Sequence, residues 1–374
     1  MHDLKTPPRR FAAALARLVL AAMFCAAGVS PALASIVITP SPPPPSTCDS
    51  SASSGDNSCP ATSSGGFNQA VTSAGSFQVG STLGNAIGSF GAQLGGGTAT
   101  GPGGARYALG DTGKSAAGAG DKWNAWFALS ENHIAYNFQP LQSSGHLDVA
   151  LAGLDYTFGN NLIVGAALSG ERTRISTSFN GGSFRGNGNT FAPYLAWAIT
   201  PRWILDAVVG VGTTDISTTD NSAGGGNGNT RDRRNLASLG LSYNYQTGKW
   251  QLTGKGQVMS AQDRLGQFTL SNGTNVAASS NRITQLRFGG QAAYKLQQGI
   301  TPFFGATYIY DAQRQNQAPL AGQNAANDRD AVQLQLGINF QSSGRLYGGL
   351  LLSTEQGRSQ IKNDQVLANI GLRF

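Results

Sequence analysis

Residues 332 to 340 read VQLQLGINF, an unbroken alternation of apolar and polar side chains. Val332 opens the apolar series and Phe340 closes it, with Gln, Gly and Asn at the positions between. Successive side chains of a β-strand point to opposite faces of the sheet. One face of this segment therefore suits lipid and the other suits water, as in the wall of a transmembrane β-barrel.

The same period of two recurs from Trp123 to the end of the chain, for example in residues 203–211, 237–245 and 286–294. About 12 such segments are present, each close to the length that crosses a bilayer at a tilt. Beyond the first 34 residues, no apolar run reaches the length of a transmembrane helix. Only a closed barrel satisfies every backbone polar group of strands in lipid. We therefore predict an all-β membrane protein, a 12-stranded antiparallel transmembrane β-barrel over residues 121–374.

The predicted connections alternate between short turns and longer polar loops, as in bacterial outer-membrane barrels, where the short turns are periplasmic. The long loops are predicted at residues 130–146, 173–188, 213–232, 262–281, 311–329 and 354–363. Aromatic residues near the short turns predict a girdle at the headgroup level: Tyr156, Phe158, Trp197, Trp203, Tyr243, Tyr245, Trp250, Tyr294, Phe304, Phe340 and Tyr347. Pro193 lies inside a predicted strand, so we expect a bulge or a missing ladder hydrogen bond there.

The first 34 residues have the features of a cleavable signal peptide. Lys5, Arg9 and Arg10 precede an apolar run, and Ala32-Leu33-Ala34 matches the cleavage pattern. Part of the formal net charge of +7 therefore lies in this segment. We expect export to the outer membrane of a diderm bacterium.

Residues 35–66 are rich in Pro and Ser and predict a tether or a vestigial passenger that buries no core. Cys48 and Cys59 lie in this stretch and could form a disulfide in an exported compartment. Residues 67–120 form a predicted helix and a Gly-rich linker. An apolar stripe at helical spacing supports the helix, and a flexible Gly/Ser linker is the alternative; the stripe comprises Val79, Leu83, Ile87, Phe90 and Leu94.

The last strand ends in an alternating apolar series that resembles the signal for barrel assembly: Val366, Ala368, Ile370, Leu372 and Phe374. Residues 148–158 (DVALAGLDYTF) and 159–175 (GNNLIVGAALSGERTRI) are similar to the autotransporter translocator domain, and the resemblance covers about residues 67–374. It implies a barrel with an N-terminal helix in its lumen and a passenger carried to the cell surface. It also implies the barrel-assembly machinery and periplasmic chaperones as partners, besides outer-membrane lipid, and we expect a monomer.

The chain offers few residues for catalysis. His133 follows Glu131, and His146 precedes Asp148, at strand spacing, so each could form a His–carboxylate pair, although a solvated polar pair is the ordinary alternative. Some members of the family cleave their passenger at an asparagine in the pore, and Asn85 lies in the predicted helix. No nucleophile elbow, phosphate loop or zinc-ligand pattern is present in the sequence. We expect no catalytic, metal or cofactor site.

Charges on the polar face of the strands are predicted to line the lumen: Asp155, Glu171, Asp206, Lys255, Arg287 and Arg373. They either tune ion passage or hold the helix in place. The basic cluster of Arg231, Arg233 and Arg234 is interrupted by Asp232, which does not favour nucleic-acid binding. We expect a translocator or anchor with a minimal passenger. A small porin-like channel and a surface adhesin acting through its loops remain as alternatives.

Overall fold

The computed structural model describes residues 122–137, 142–158, 161–178, 180–221, 225–296, 299–315, 329–341, 345–358 and 361–374. These ranges cover most of the barrel predicted over residues 121–374. The predicted signal peptide, tether, helix and linker lie outside the described residues. Cys48, Cys59 and Asn85 lie outside them as well.

The alternating segments form strands throughout this region. The strands are β1 (Trp123–Tyr136), β2 (Ser143–Phe158), β3 (Leu162–Thr177), β4 (Gly182–Ala198), β5 (Trp203–Thr219), β6 (Asn227–Thr247), β7 (Trp250–Leu265), β8 (Phe268–Thr269), β9 (Asn275–Val276), β10 (Ser279–Tyr294), β11 (Ile300–Gln315), β12 (Asp330–Gln341), β13 (Leu346–Gln356) and β14 (Ile361–Arg373). Within the described residues, no helix is long and apolar enough to cross a membrane.

Twelve of these strands close into one antiparallel barrel, which confirms the predicted fold class. Each strand pairs with its neighbours in chain order, except that β7 pairs with β10 because β8 and β9 form a separate hairpin. The barrel closes between β1 and β14. Trp123 and Phe374 exchange both backbone hydrogen bonds at 3.0 Å where that seam begins. Closure removes the free edges that a flat sheet would expose to lipid.

The two faces of the barrel match the two solvents that the alternation predicts. On β12 the apolar side chains point outward, and Leu336 among them is 61% exposed: Val332, Leu334, Leu336, Ile338 and Phe340. At the end of the chain, Val366, Ala368, Ile370, Leu372 and Phe374 also point outward. Between them, polar residues such as Gln333 and Gln365 are buried on the inward face. The outer wall is therefore apolar, and much of the inner wall is polar.

The extracellular loops are shorter than predicted, and the predicted loop boundaries are wrong. β1 ends at Tyr136 and β2 begins at Ser143, well inside the predicted loop 130–146. β5 continues to Thr219, and β6 already begins at Asn227. Above the lipid both faces of a strand contact water, so polar residues continue the hydrogen-bonded ladder. Loss of apolar alternation marks the edge of the membrane and not the end of the strand.

Pro193 leaves the ladder incomplete without shifting it. It pairs with Ala166 of β3, but β4 and β5 have no pair between Phe191–Val211 and Tyr194–Val208. The register is the same on both sides of the gap. The ladder is therefore interrupted as expected, and the alternative of a bulge is not observed.

Exposed aromatic rings surround the end of the barrel with the short turns. Neighbouring strands bring Trp203 and Tyr243 to a centroid distance of 4.9 Å, and Trp250 and Tyr294 to the same distance. Tyr347 contradicts the predicted girdle, because it is 1% exposed and points into the barrel. On β13, Leu346 occupies the outward position, so the next residue must face inward.

Candidate functional site: the polar interior of the barrel

A chain of hydrogen bonds crosses the closing seam near the periplasmic end. Tyr347 of β13 donates its hydroxyl to Asn124 Oδ1 of β1 at 2.9 Å. Asn124 Nδ2 donates to Asp155 Oδ2 of β2 at 2.8 Å. Tyr194 of β4 donates to the same carboxylate oxygen at 2.8 Å and accepts from Trp126 Nε1 at 2.8 Å. Through Asn124, the buried carboxylate of Asp155 is thus connected to β13 on the other side of the seam.

These contacts skip a strand, and glycine makes room for them. Gly371 of β14 lies between Tyr347 and Asn124, and a Cβ there would be 2.1 Å from the tyrosine ring. Gly165 of β3 lies between Asp155 and Tyr194, where a Cβ would be 2.5 Å from that ring. A side chain at either glycine would occupy the space that the aromatic ring fills.

A second polar group crosses the seam nearer the middle of the barrel. Gln365 of β14 donates Nε2 to Ser130 Oγ of β1 at 2.9 Å. Its Oε1 accepts from Ser353 Oγ at 3.4 Å, and Gln333 Nε2 donates to Ser353 Oγ at 3.2 Å. Neutral side chains therefore connect β12, β13, β14 and β1 across the point of closure.

Higher in the barrel, a charged cluster joins four strands. Arg234 of β6 contacts both carboxylate oxygens of Glu171 of β3 at 2.7 Å and Asp263 of β7 at 3.2 Å. Thr214 of β5 donates to Glu171 at 2.8 Å. The three charged side chains are at most 3% exposed. Asp232, which is 0% exposed, lies on the same face of β6.

Glycine again permits the crossing, because Glu171 reaches over β4 at Gly188. A Cβ at Gly188 would be 2.2 Å from Glu171 Oε1. Lys255 of β7 pairs with Asp206 of β5 at 3.2 Å in the same way, over Gly240 of β6. Charged groups buried this deeply are stable only when paired and hydrogen-bonded.

On the opposite wall, Arg358 follows β13 and folds onto the interior. It contacts Asp311 at 3.1 Å and Glu355 at 2.8 Å. Burial lowers the pKa of Arg358, but the carboxylates of Glu355 and Asp311 raise it by more, so the net direction is upward. Arg287 is buried on the same wall, and its Nη2 donates to Gln333 Oε1 at 3.4 Å. The cation of Arg373 lies 5.6 Å from the centre of the Tyr347 ring.

The β8–β9 hairpin lies over the inner wall at the extracellular mouth. Phe268 and Leu270 pack against inward-facing Ile175, Phe184 and Ile216. The hairpin segment is fastened to β6, where Ser271 N donates to the Asn227 carbonyl at 2.8 Å. The alternation does not reveal this hairpin, since two-residue strands carry no readable period.

The structure brings together some of the charges predicted for the lumen, and others take partners that the sequence does not indicate. Asp206 meets Lys255, both of them predicted. Glu171 meets Arg234, which the sequence places only in a basic cluster. The inward position of Arg234, between outward Arg233 and Asn235, is readable from the alternation.

The two histidines lie outside the barrel interior and pair differently from the sequence expectation. His133 and His146 are cross-strand partners with rings 5.0 Å apart. His146 Nδ1 lies 3.3 Å from Glu131, and Asp148 pairs with Arg174 at 2.6 Å. The His146–Glu131 pair is more than half exposed on both sides. Within the described residues, no group of His, Cys, Asp and Glu is suited to hold a metal ion.

An apolar outer wall, an aromatic girdle and a polar inner wall in one closed antiparallel barrel define the class of outer-membrane β-barrels. The family model for the autotransporter beta-domain matches residues 130–351, more than half of the chain. The chain therefore belongs to the autotransporter β-domain family. This family lies in the bacterial outer membrane, and its barrel is a transport and anchoring fold.

Solved structures of autotransporter domains share the fold at low sequence identity. The translocator domain of NalP from Neisseria meningitidis matches with a TM-score of 0.62 and 12% identity, over 82% of this chain and 99% of that one. The β domain of BrkA from Bordetella matches with a TM-score of 0.58 and 15% identity, over 68% and 100%. The transport unit of AIDA-I from Escherichia coli gives 0.52 and 11%, over 78% and 99%. No curated protein sequence matches the chain significantly.

Proposed function

We propose that this barrel is the outer-membrane translocation unit and anchor of a minimal passenger, residues 35–66, and that it catalyses no reaction. In this proposal residues 67–94 occupy the lumen as a helix and residues 95–120 connect it to β1. The protein reaches the outer membrane through a cleaved signal peptide, residues 1–34. The barrel-assembly machinery and periplasmic chaperones deliver it there, and it works as a monomer surrounded by lipid.

The observation that carries the proposal is the polar inner wall. Hydrogen-bonded groups follow the lumen from Asn124 and Asp155 at the periplasmic end to Glu171 and Arg234 near the extracellular end. A polypeptide with unpaired backbone groups can cross a membrane only where polar groups or water surround it. A lumen of this kind suits the passage of an extended chain, and then suits a helix that carries polar residues beside its apolar stripe.

The absence of catalysis rests on the environment of the candidate groups. His146 and Glu131 are each more than half exposed on the outer surface. The pKa tuning that general-base chemistry uses depends on burial, and this pair is not buried. Self-cleavage at Asn85 is not part of the proposal, because residues 35–66 offer little to release.

The test is single-channel conductance of residues 35–374 refolded in planar bilayers. A variant with Leu83→Asp and Ile87→Asp places two charges on the apolar stripe and should release the helix, so that conductance rises. Ser81→Asp, on the other side of the predicted helix, is the matched control and should leave conductance low. A version starting at Asp121 should conduct like the double variant.

Equal conductance in all four proteins would remove the lumen helix from the proposal and favour the porin-like channel. The anchoring role is tested separately, with an epitope inserted after Ser53 in the full chain. Antibody should label the epitope on intact cells while it stays attached to the barrel. An epitope confined to the periplasm would contradict the display of residues 35–66.

A test of the adhesin alternative requires a smaller deletion than the predicted loop 213–232 indicates. Residues 215–219 and 227–229 belong to β5 and β6, so removing the whole stretch from Asp215 to Asn229 would damage the barrel. Shortening only residues 220–226 leaves the paired strands intact. Loss of binding to host cells or matrix in that variant would favour an adhesin.

A further inference from the structure

Three exposed arginines form a basic patch on the outer face of β6 and β7. Arg231 and Arg233 occupy successive outward positions on β6, and Arg264 is outward on β7. We call these three residues the arginine patch. With Thr213 and Gln267 they line a groove of about 730 Å³ on the outer wall. Inward-facing Arg234 belongs to the interior cluster, so the outward arginines have no part in the function proposed above.

The groove begins where the lipid-facing surface ends. On β5 the outward side chains run from Trp203, in the girdle, to Val211, which is 58% exposed. The eight steps from Trp203 to Val211 rise by roughly 26 Å along the strand, or about 20 Å across a membrane at the usual strand tilt. The apolar band of an outer-membrane barrel is about 25 Å tall. The next outward rows, which hold the arginine patch, therefore lie at the level of the outer-leaflet headgroups.

The register places two of these cations directly opposite each other. Arg233 and Arg264 are cross-strand partners, and both are exposed. Like charges in this position destabilise a sheet. Within the described residues neither of them forms an ion pair, whereas Arg231 pairs with Asp215 at 2.7 Å. An anion held between Arg233 and Arg264 would relieve the repulsion.

The surrounding outer face shows that this charge is local. Arg172 and Arg185 extend the basic surface over β3 and β4. Near the closing seam the outward charges beyond the apolar band are mixed, with Glu131 on β1 and with Asp364 and Lys362 on β14. The side of the rim formed by β3 to β7 is therefore more basic than the seam side.

We propose that the arginine patch binds a phosphate group of an outer-leaflet lipid headgroup. Guanidinium groups bind phosphate through paired, charge-assisted hydrogen bonds. The groove is continuous with the lipid-facing wall, so a lipid whose chains lie on Val211 can place its headgroup between Arg233 and Arg264. The bound lipid would neutralise the cross-strand pair and hold the extended ends of β6 and β7 together.

The experiment uses the full mature chain refolded into phosphatidylcholine vesicles, with or without a minor fraction of diphosphorylated lipid A. Lipid A should raise the urea midpoint of unfolding of the unmodified protein. The variant R233Q/R264Q should lose most of that rise and bind lipid A roughly tenfold more weakly, since two solvent-exposed charge pairs are lost. K249Q/K362Q removes two exposed charges elsewhere and should keep the full response.

A second measurement separates lost binding from misfolding. In vesicles of phosphatidylcholine alone, whose headgroup phosphate is neutralised by its own choline, R233Q/R264Q should be at least as stable as the unmodified protein, because the cross-strand repulsion is gone. An unchanged response of this variant to lipid A would overturn the proposal. An equal rise of the urea midpoint with inorganic phosphate or with fully dephosphorylated lipid A would also overturn it, because the site would then not be specific for a phosphate on a lipid. None of these results depends on whether residues 35–66 are displayed.

Discussion

Replacing Arg234 with methionine should be among the most damaging single changes to this barrel. The side chain joins Glu171 at 2.7 Å and Asp263 at 3.2 Å, and all three are at most 3% exposed. Methionine keeps much of the volume but leaves two buried carboxylates without their cation. Breaking a buried ion pair by removing one partner costs about 3–5 kcal/mol. Asp232, also buried on β6, lies on the same inward face of the strand as Arg234.

The assay is urea unfolding of the barrel in phosphatidylcholine vesicles, followed by tryptophan fluorescence. R234M should lower the free energy of unfolding by about 3–5 kcal/mol. R185M removes an exposed arginine of β4 and should change it by less than about 1 kcal/mol. A triple variant, E171Q/R234M/D263N, also removes the stranded carboxylate charges and should recover more than half of the loss.

Two results would refute this reasoning. A loss of less than about 1 kcal/mol in R234M would place the buried cluster in the range of surface ion pairs. A triple variant as unstable as R234M would show that lost packing, and not uncompensated charge, causes the damage.

Three further changes test the glycine crossing, the hairpin and the proline. Gly371→Ala should lower the free energy of unfolding by roughly 1–3 kcal/mol, because its Cβ would lie 2.1 Å from the Tyr347 ring. On SDS gels of unheated samples, a smaller fraction of the protein should migrate as folded barrel. In the version starting at Asp121, deleting residues 268–276 removes the hairpin that packs on Phe184 and should raise conductance further without unfolding the barrel. Pro193→Ala should change the urea midpoint by the equivalent of less than about 0.5 kcal/mol, because the β4–β5 ladder is already interrupted there.

Each of these changes has its own control. Gly254→Ala places a Cβ where nothing lies within 4 Å, so it should be silent, and equal damage from both glycine changes would exclude the steric argument. Unchanged conductance after the hairpin deletion would mean that the constriction lies elsewhere. A large effect of Pro193→Ala in either direction would show that proline itself stabilises β4.

The alternation of apolar and polar residues is sufficient to predict the barrel and the direction in which nearly every side chain of its wall points. A side chain on a transmembrane strand faces either lipid or the interior. Apolar Leu336 faces lipid, and its polar neighbour Gln335 faces the interior. The alternation fails for the ends of the strands, where both faces meet water and the period disappears. The aromatic pattern fails for Tyr347, which lies near a turn as predicted but on the inner face.

The contacts inside the barrel required the tertiary structure. Tyr347 and Asn124 are 223 residues apart, and Glu171 and Arg234 are 63 residues apart. Which inward side chains meet depends on the stagger of the strands around the closed barrel. It depends equally on which intervening position is glycine, as Gly188 and Gly371 show. The polarity of the residues along a single strand shows which side chains face lipid and which face water. The contacts between side chains two or three strands apart are determined only when the sheet closes into a barrel.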